Sequence, residues 1–160
     1  MAGAVLGYLA KSKLEKKDKK NIDKSKSINE IKKAANLISA KEFSLMKDLT
    51  WYEYYGKSLY KLEELSSPWP EKDEELYNLA KTRISDNCQE LIKLDVKIDD
   101  EDLEYLEDKI NSYVFTCKNL KRIIELKGFD QDKVSLIKMV EKELEDKYTD
   151  LMSSINSIYK

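Results

Sequence analysis

The chain has 160 residues, 29 of them basic and 31 acidic, for a net charge of −2, and it contains no histidine. Without histidine the Ser-His-Asp and Cys-His nucleophile pairs, the HExxH zinc motif and every His-ligated metal are excluded. Glycine occurs only at Gly3, Gly7, Gly56 and Gly128, a distribution that cannot supply the phosphate-cradling turns of P-loop or dinucleotide-binding proteins.

A charged fraction of 38% beside a hydrophobic fraction of 41% suits long amphipathic helices that expose a wide polar face. The length predicts one domain with a real core. The basic residues are almost all lysine, a coding bias expected of an AT-rich genome, and the shortage of arginine argues against nucleic-acid recognition. Charge is unevenly placed. Residues 1–33 carry a net +6 and residues 34–160 a net −8, so near-neutrality is the sum of a basic head and an acidic body.

Residues 1–10, MAGAVLGYLA, are apolar and small, and residues 11–26 are Lys-rich with Leu14 and Ile22 as their only apolar side chains. Together they form an expected N-terminal arm or helix, residues 1–26. Its apolar length is about half a bilayer core, which points to packing on its own bundle or a neighbouring subunit, or to shallow membrane docking, through Val5, Leu6, Tyr8 and Leu9. The apolar stretch precedes the lysines, the reverse of a secretory signal.

Ser27 and Glu30 match the capping-box pattern and predict a helix start. Ile31, Ala35, Ile38, Glu42, Leu45, Leu49, Tyr52, Gly56 and Leu59 then alternate in steps of four and three, a heptad seam with flaws at Glu42 and Gly56. This first helix is expected over about 28–65, ended by the SSPWP at 66–70. A second over about 71–98 follows, with Tyr77, Ala80, Ile84, Cys88, Leu91, Leu94 and Ile98 on one stripe. A third over about 101–127 opens on Asp99, Asp100, Glu101 and Asp102, keeps the same steps through Leu103, Leu106, Ile110, Tyr113, Cys117, Leu120 and Ile124, and closes before Gly128, expected as a C′ residue in the left-handed region. Asp130 caps a fourth over about 131–158, with Val134, Ile137, Glu141, Leu144, Tyr148, Leu151, Ile155 and Ile158 on its seam. The fold class is therefore all-α: an elongated antiparallel four-helix bundle over 27–160 with coiled-coil-like seams plus the basic arm.

The run WYEYYGKSLY at 51–60 is the strongest local feature, and one seam cannot absorb all its rings. Trp51, Tyr54, Tyr55 and Tyr60 are the candidate partner-binding residues, since Trp and Tyr dominate interface centres. Gly56 within it signals a close backbone approach or a kink. Glu42 and Glu141 occupy seam positions, where a register flaw or a snorkelling side chain is expected ahead of the alternative, a buried carboxyl with a raised pKa. Cys88 and Cys117 fall on apolar stripes. A tight turn near residue 99 would separate them by about 9 Å along the axis, so free thiols are expected. The acids at 95–102 lack the spacing of a calcium loop and read as helix caps.

These features predict a non-catalytic interaction module, whether adaptor, assembly subunit or inhibitor, and not an enzyme. Expected partners are a protein or a second copy, with an anionic membrane surface as the alternative. No cofactor, metal, nucleic acid or small-molecule substrate is expected. With no spanning segment, the expected location is cytoplasmic or membrane-associated.

Overall fold

A computed structural model describes the backbone of residues 2–159 and the side chains of residue 19 and residues 21–159. Among the described residues the regular structure is all helical, with four α-helices packed against each other: α1 (Ala2–Glu64), α2 (Glu71–Ile92), α3 (Glu104–Glu125) and α4 (Gln131–Ser157). A single 3-10 turn, Glu101–Leu103, precedes α3.

The expected seams supply the core. Ile31, Ile38, Leu45, Leu49, Tyr52 and Leu59 of α1 are buried together with Ile84, Cys88 and Leu91 of α2, Leu106, Ile110, Tyr113, Cys117 and Leu120 of α3, and Ile137, Leu144 and Leu151 of α4. Contacts between the helices run in opposite senses. Along α1 and α2, Lys41 meets Glu90 and Tyr52 meets Tyr77. Along α3 and α4, Lys109 pairs with Asp150 at 2.7 Å and the Lys147 ammonium donates to Thr116 at 2.7 Å. α4 returns beside α1, where Ser39 and Tyr148 share a 3.0 Å hydrogen bond and Lys32 lies over the Tyr159 ring.

Three boundaries matter: the start of α1 and the end of α2 depart from expectation, while α1 ends at Glu64, close to the expected residue 65. First, α1 does not begin at residue 28; it runs unbroken from Ala2. Inside a continuing helix the backbone N–H groups near Ser27 already have upstream carbonyl partners, so the capping hydroxyl is not needed there. Ser27 is buried instead, and its Oγ accepts the Asp100 N–H at 3.4 Å.

Second, α1 ends by a Schellman closure. The Ser67 N–H donates to Leu62 O at 2.9 Å and the Ser66 N–H to Glu63 O at 3.0 Å, with Ser66 in the left-handed region at φ 54°. Pro70 then caps α2, whose first turn carries Glu71, Asp73 and Glu74 at the positive end of the dipole.

Third, α2 stops at Ile92, not near residue 98. The following residues alternate, with Val96, Ile98 and Asp100 buried and Asp95, Lys97 and Asp99 exposed. That period of two is an extended strap laid on the core. It carries the chain past the end of α2 before α3 turns back. α3 and α4 follow expectation more closely. Gly128 has φ +84°, two positions beyond the cap residue Leu126, and the Asp130 carboxylate accepts the Lys133 N–H at 2.8 Å.

No helix among the described residues is long and apolar enough to cross a membrane.

Candidate functional site

Tyr52 faces the core of α1, so its neighbours at 100° intervals must turn outward. Trp51 is 47% exposed and Tyr54 60% exposed, while Tyr55 is half-buried. The three rings hold one another. Trp51 stacks on Tyr55 at 6.0 Å between centroids, and Tyr54 meets Trp51 edge-on at 6.2 Å and Tyr55 edge-on at 5.2 Å. Beside them lies a groove of about 260 Å³ between α1 and α2, lined by Lys47, Asp48, Trp51, Tyr55, Leu76, Leu79, Ala80 and Arg83. Leu79 is exposed on its far wall. The Asp48 carboxyl sits at the floor, where burial pushes its pKa up and the charges of Arg83 and Lys47 oppose that shift.

Tyr60 is not part of this patch. It packs inward, edge-on to Trp69 at 5.0 Å and stacked on Phe129 at 6.0 Å. Tyr60 lies nine residues, two and a half helical turns, beyond Trp51, which places it on the opposite face of α1, toward the α1–α2 and α3–α4 connections, where the ring joins their aromatic cluster. The side chains of Val5, Leu6, Tyr8 and Leu9 lie outside the described residues.

That inner cluster explains Gly56. A Cβ there would lie 2.5–2.7 Å from three ring atoms of Phe129, so the close approach inferred from the sequence is made by an aromatic ring. The same ring and Tyr52 lie under the Lys133 ammonium, at 5.9 and 5.5 Å. Lys133 is buried, and its three donors reach the carbonyls of Leu126 at 2.6 Å, Gly128 at 3.0 Å and Ile124 at 3.4 Å. Burial, with a smaller effect of Lys81, lowers its pKa to about 8. Sequence reasoning missed this residue. A signal was present: lysine in the first turn of α4 opposes that helix's dipole, and it is offset because the side chain caps the negative end of α3.

A second polar set crosses the middle of the core. Glu42 does not snorkel; it is 6% exposed, and its carboxylate accepts the Tyr113 hydroxyl at 2.5 Å. Burial, partly offset by that hydrogen bond, pushes its pKa up to about 7. Glu141 is raised too, by burial first and then by the charge and hydrogen bond of Glu53 across the α1–α4 seam. One Glu53 oxygen is buried without a partner. Cys88 and Cys117 are free and buried, yet adjacent. The neighbouring Cys88 thiol, together with burial, pushes the Cys117 pKa up strongly. The expected 9 Å offset fails because it assumed a tight turn. Cys88 lies four residues, about 6 Å, before the end of α2, and Cys117 lies 13 residues, about 20 Å, into α3; the extended strap supplies the difference.

Protonating a carboxyl whose pKa is raised on folding stabilises the folded state. The contribution of Glu42 is therefore complete below about pH 4.5 and is lost as pH rises to about 7, on the order of 2–3 kcal/mol. Glu141 acts in the same direction. Urea unfolding at pH 5 and pH 8 should show the fall in stability, and Glu42→Gln, which keeps the shape without the proton, should remove the Glu42 share and raise stability at pH 8.

The described residues contain no cluster of three or more Cys, Asp or Glu positioned to hold a metal ion. Residues 83–158 match the model of a family described as a domain of unknown function (DUF4476). The match spans the second half of α2, α3 and α4 and leaves α1 outside it. No curated protein and no solved structure matches the chain. Tyr113, both cysteines and Lys133 thus fall within the matched segment, whereas Trp51, Tyr54 and Tyr55 do not.

Proposed function

We propose that this chain is a non-catalytic protein–protein interaction module. In this reading it is an elongated antiparallel four-helix bundle with coiled-coil-like seams, extended by a basic N-terminal arm. It acts as an adaptor, assembly subunit or inhibitor by surface contact. The observation that carries the reading is the aromatic triplet of exposed Trp51 and Tyr54 with half-buried Tyr55, opposite Leu79 across the α1–α2 groove. Rings already locked against one another lose little entropy on binding, and Trp and Tyr are the residues that most often anchor interfaces. Lys47 and Arg83 at the groove edge would set orientation and association rate.

Trp51→Ala combined with Tyr55→Ala tests this. Affinity capture from the native host should lose its specific partner, with binding weakened about 30-fold or more. Helical circular dichroism and the melting midpoint should stay close to those of the unaltered chain. Unchanged capture, or unfolding of the variant, would refute an interface role.

A further inference from the structure

α1 is 63 residues long, against 22, 22 and 27 for α2, α3 and α4. Toward its start it meets the rest of the fold where Ser27 receives the Asp100 N–H. About 25 residues of helix precede that point, roughly 37 Å. Ile22, on this stretch, is 66% exposed. Residues 11–26 hold eight lysines and three acids, a net +5. A lone helix of that composition gains its stability from packing on something else.

The surface beside Ser27 has the opposite charge. Residues 95–108, covering the strap and the start of α3, hold eight acids and one lysine, a net −7. None of the ion pairs among the described residues involves any of them. Asp100 is only 4% exposed; its Oδ1 accepts the Asp102 N–H, and its Oδ2 is buried with no partner. A buried carboxylate oxygen lacking a donor is costly, and it marks where a donor is missing.

Lys24 and Lys26 stand within one turn of Ser27 and enter none of these ion pairs, and the other six lysines recede from this end. Because α1 is one continuous helix, Lys20 lies about 10 Å and Lys11 about 24 Å beyond Ser27 along the axis. A second copy, inverted, reverses the problem. It brings its Lys-rich stretch across these acids while presenting its own acids to the first copy's lysines. The spacing fits as well. Exposed Phe115 stands 13 residues, about 20 Å, along α3 from Asp102, on the same outer face as Glu104 and Asp108. Val5 and Leu6 stand 10–12 residues, about 15–18 Å, before Lys16 and Lys17 on α1.

We propose that two copies of this chain pair reciprocally, residues 11–26 of each α1 lying antiparallel along the acidic start of α3 in the other, with residues 5–9 reaching its exposed Phe115. Such a contact is isologous, so one interaction is made twice. It does not use the Trp51 groove and stands or falls independently of it.

Light scattering on the full chain at about 100 μM gives the test, at about 0.03 M and about 0.5 M salt. A dimer at low salt and a monomer at high salt are expected. Two charge-reversed variants follow: an arm variant (Lys13→Glu, Lys16→Glu, Lys17→Glu, Lys20→Glu) and an end variant (Asp99→Lys, Glu101→Lys, Glu104→Lys, Asp108→Lys). Each alone should be monomeric with native helicity. Mixed one to one, they should restore a dimer, because both reciprocal contacts again join opposite charges. That rescue also shows that both variants are folded. Trp51→Ala should leave the dimer unchanged. A monomer at both salt concentrations, or a dimer untouched by salt and by both reversals, would overturn the proposal. So would a monomer that co-sediments with phosphatidylserine vesicles, which would assign the lysines to lipid.

Discussion

Gly56→Ala is expected to destabilise the protein by about 2–3 kcal/mol, although alanine in place of a mid-helix glycine normally adds about 1 kcal/mol. The reversal comes from Phe129, whose ring carbons stand 2.5–2.7 Å from where the new methyl would be. The ring cannot retreat easily. Tyr52 meets it edge-on at 5.4 Å, Tyr60 stacks on it, and Gly128 before it is fixed at φ +84°. Urea unfolding should show a lower midpoint with an unchanged slope. A double-mutant cycle identifies the cause. In a Phe129→Ala background the methyl meets open space, so Gly56→Ala should become neutral or stabilising by about 1 kcal/mol. An equal cost in both backgrounds would show that the ring is not responsible.

The second large effect is expected at Lys133. Lys133→Met keeps the length of the side chain and removes its ammonium, leaving the carbonyls of Ile124, Leu126 and Gly128 without their donor. Losing a charge-assisted donor from buried carbonyls costs several times an ordinary surface substitution, about 2–4 kcal/mol here. Amide exchange should rise first in the last turn of α3 and over residues 126–130, because their carbonyls then compete for water. If exchange there stays at the wild-type level, the ammonium is not what holds this connection.

The parts of this fold legible in the sequence are those set by helical period. The seams of α1, α3 and α4 bury as the three-four spacing requires, since only that face can meet a neighbouring helix. The misread parts are those where two signals coincide. Ser27 and Glu30 form a start motif in a helix that does not start there. Leu94 and Ile98 continue the helical period of α2 by accident, while Val96, Ile98 and Asp100 follow the period of a strap. Misreading that strap also misplaced Cys117 relative to Cys88. The sequence put Glu42 and Glu141 on the seam but could not show that the Tyr113 hydroxyl and the Glu53 carboxyl would meet them there. For the candidate patch, composition identified Trp51, Tyr54 and Tyr55. It could not separate them from Tyr60, because that ring's fate depends on Trp69 and Phe129, one from each connection.

The return of α4 to the side of α1 has a consequence for synthesis. α1 leaves the ribosome first, and α2 can cover part of its apolar stripe soon afterwards. The opposite edge waits for α4: Lys32 meets Tyr159 only after 127 more residues, roughly 6–25 s of translation. Through that interval the uncovered edge of α1 would be a hazard if it were purely apolar. It carries Glu42, whose carboxylate is hydrated until its partners arrive. The carboxylate that costs stability in the finished protein at neutral pH is thus a group that keeps its longest-waiting surface wet.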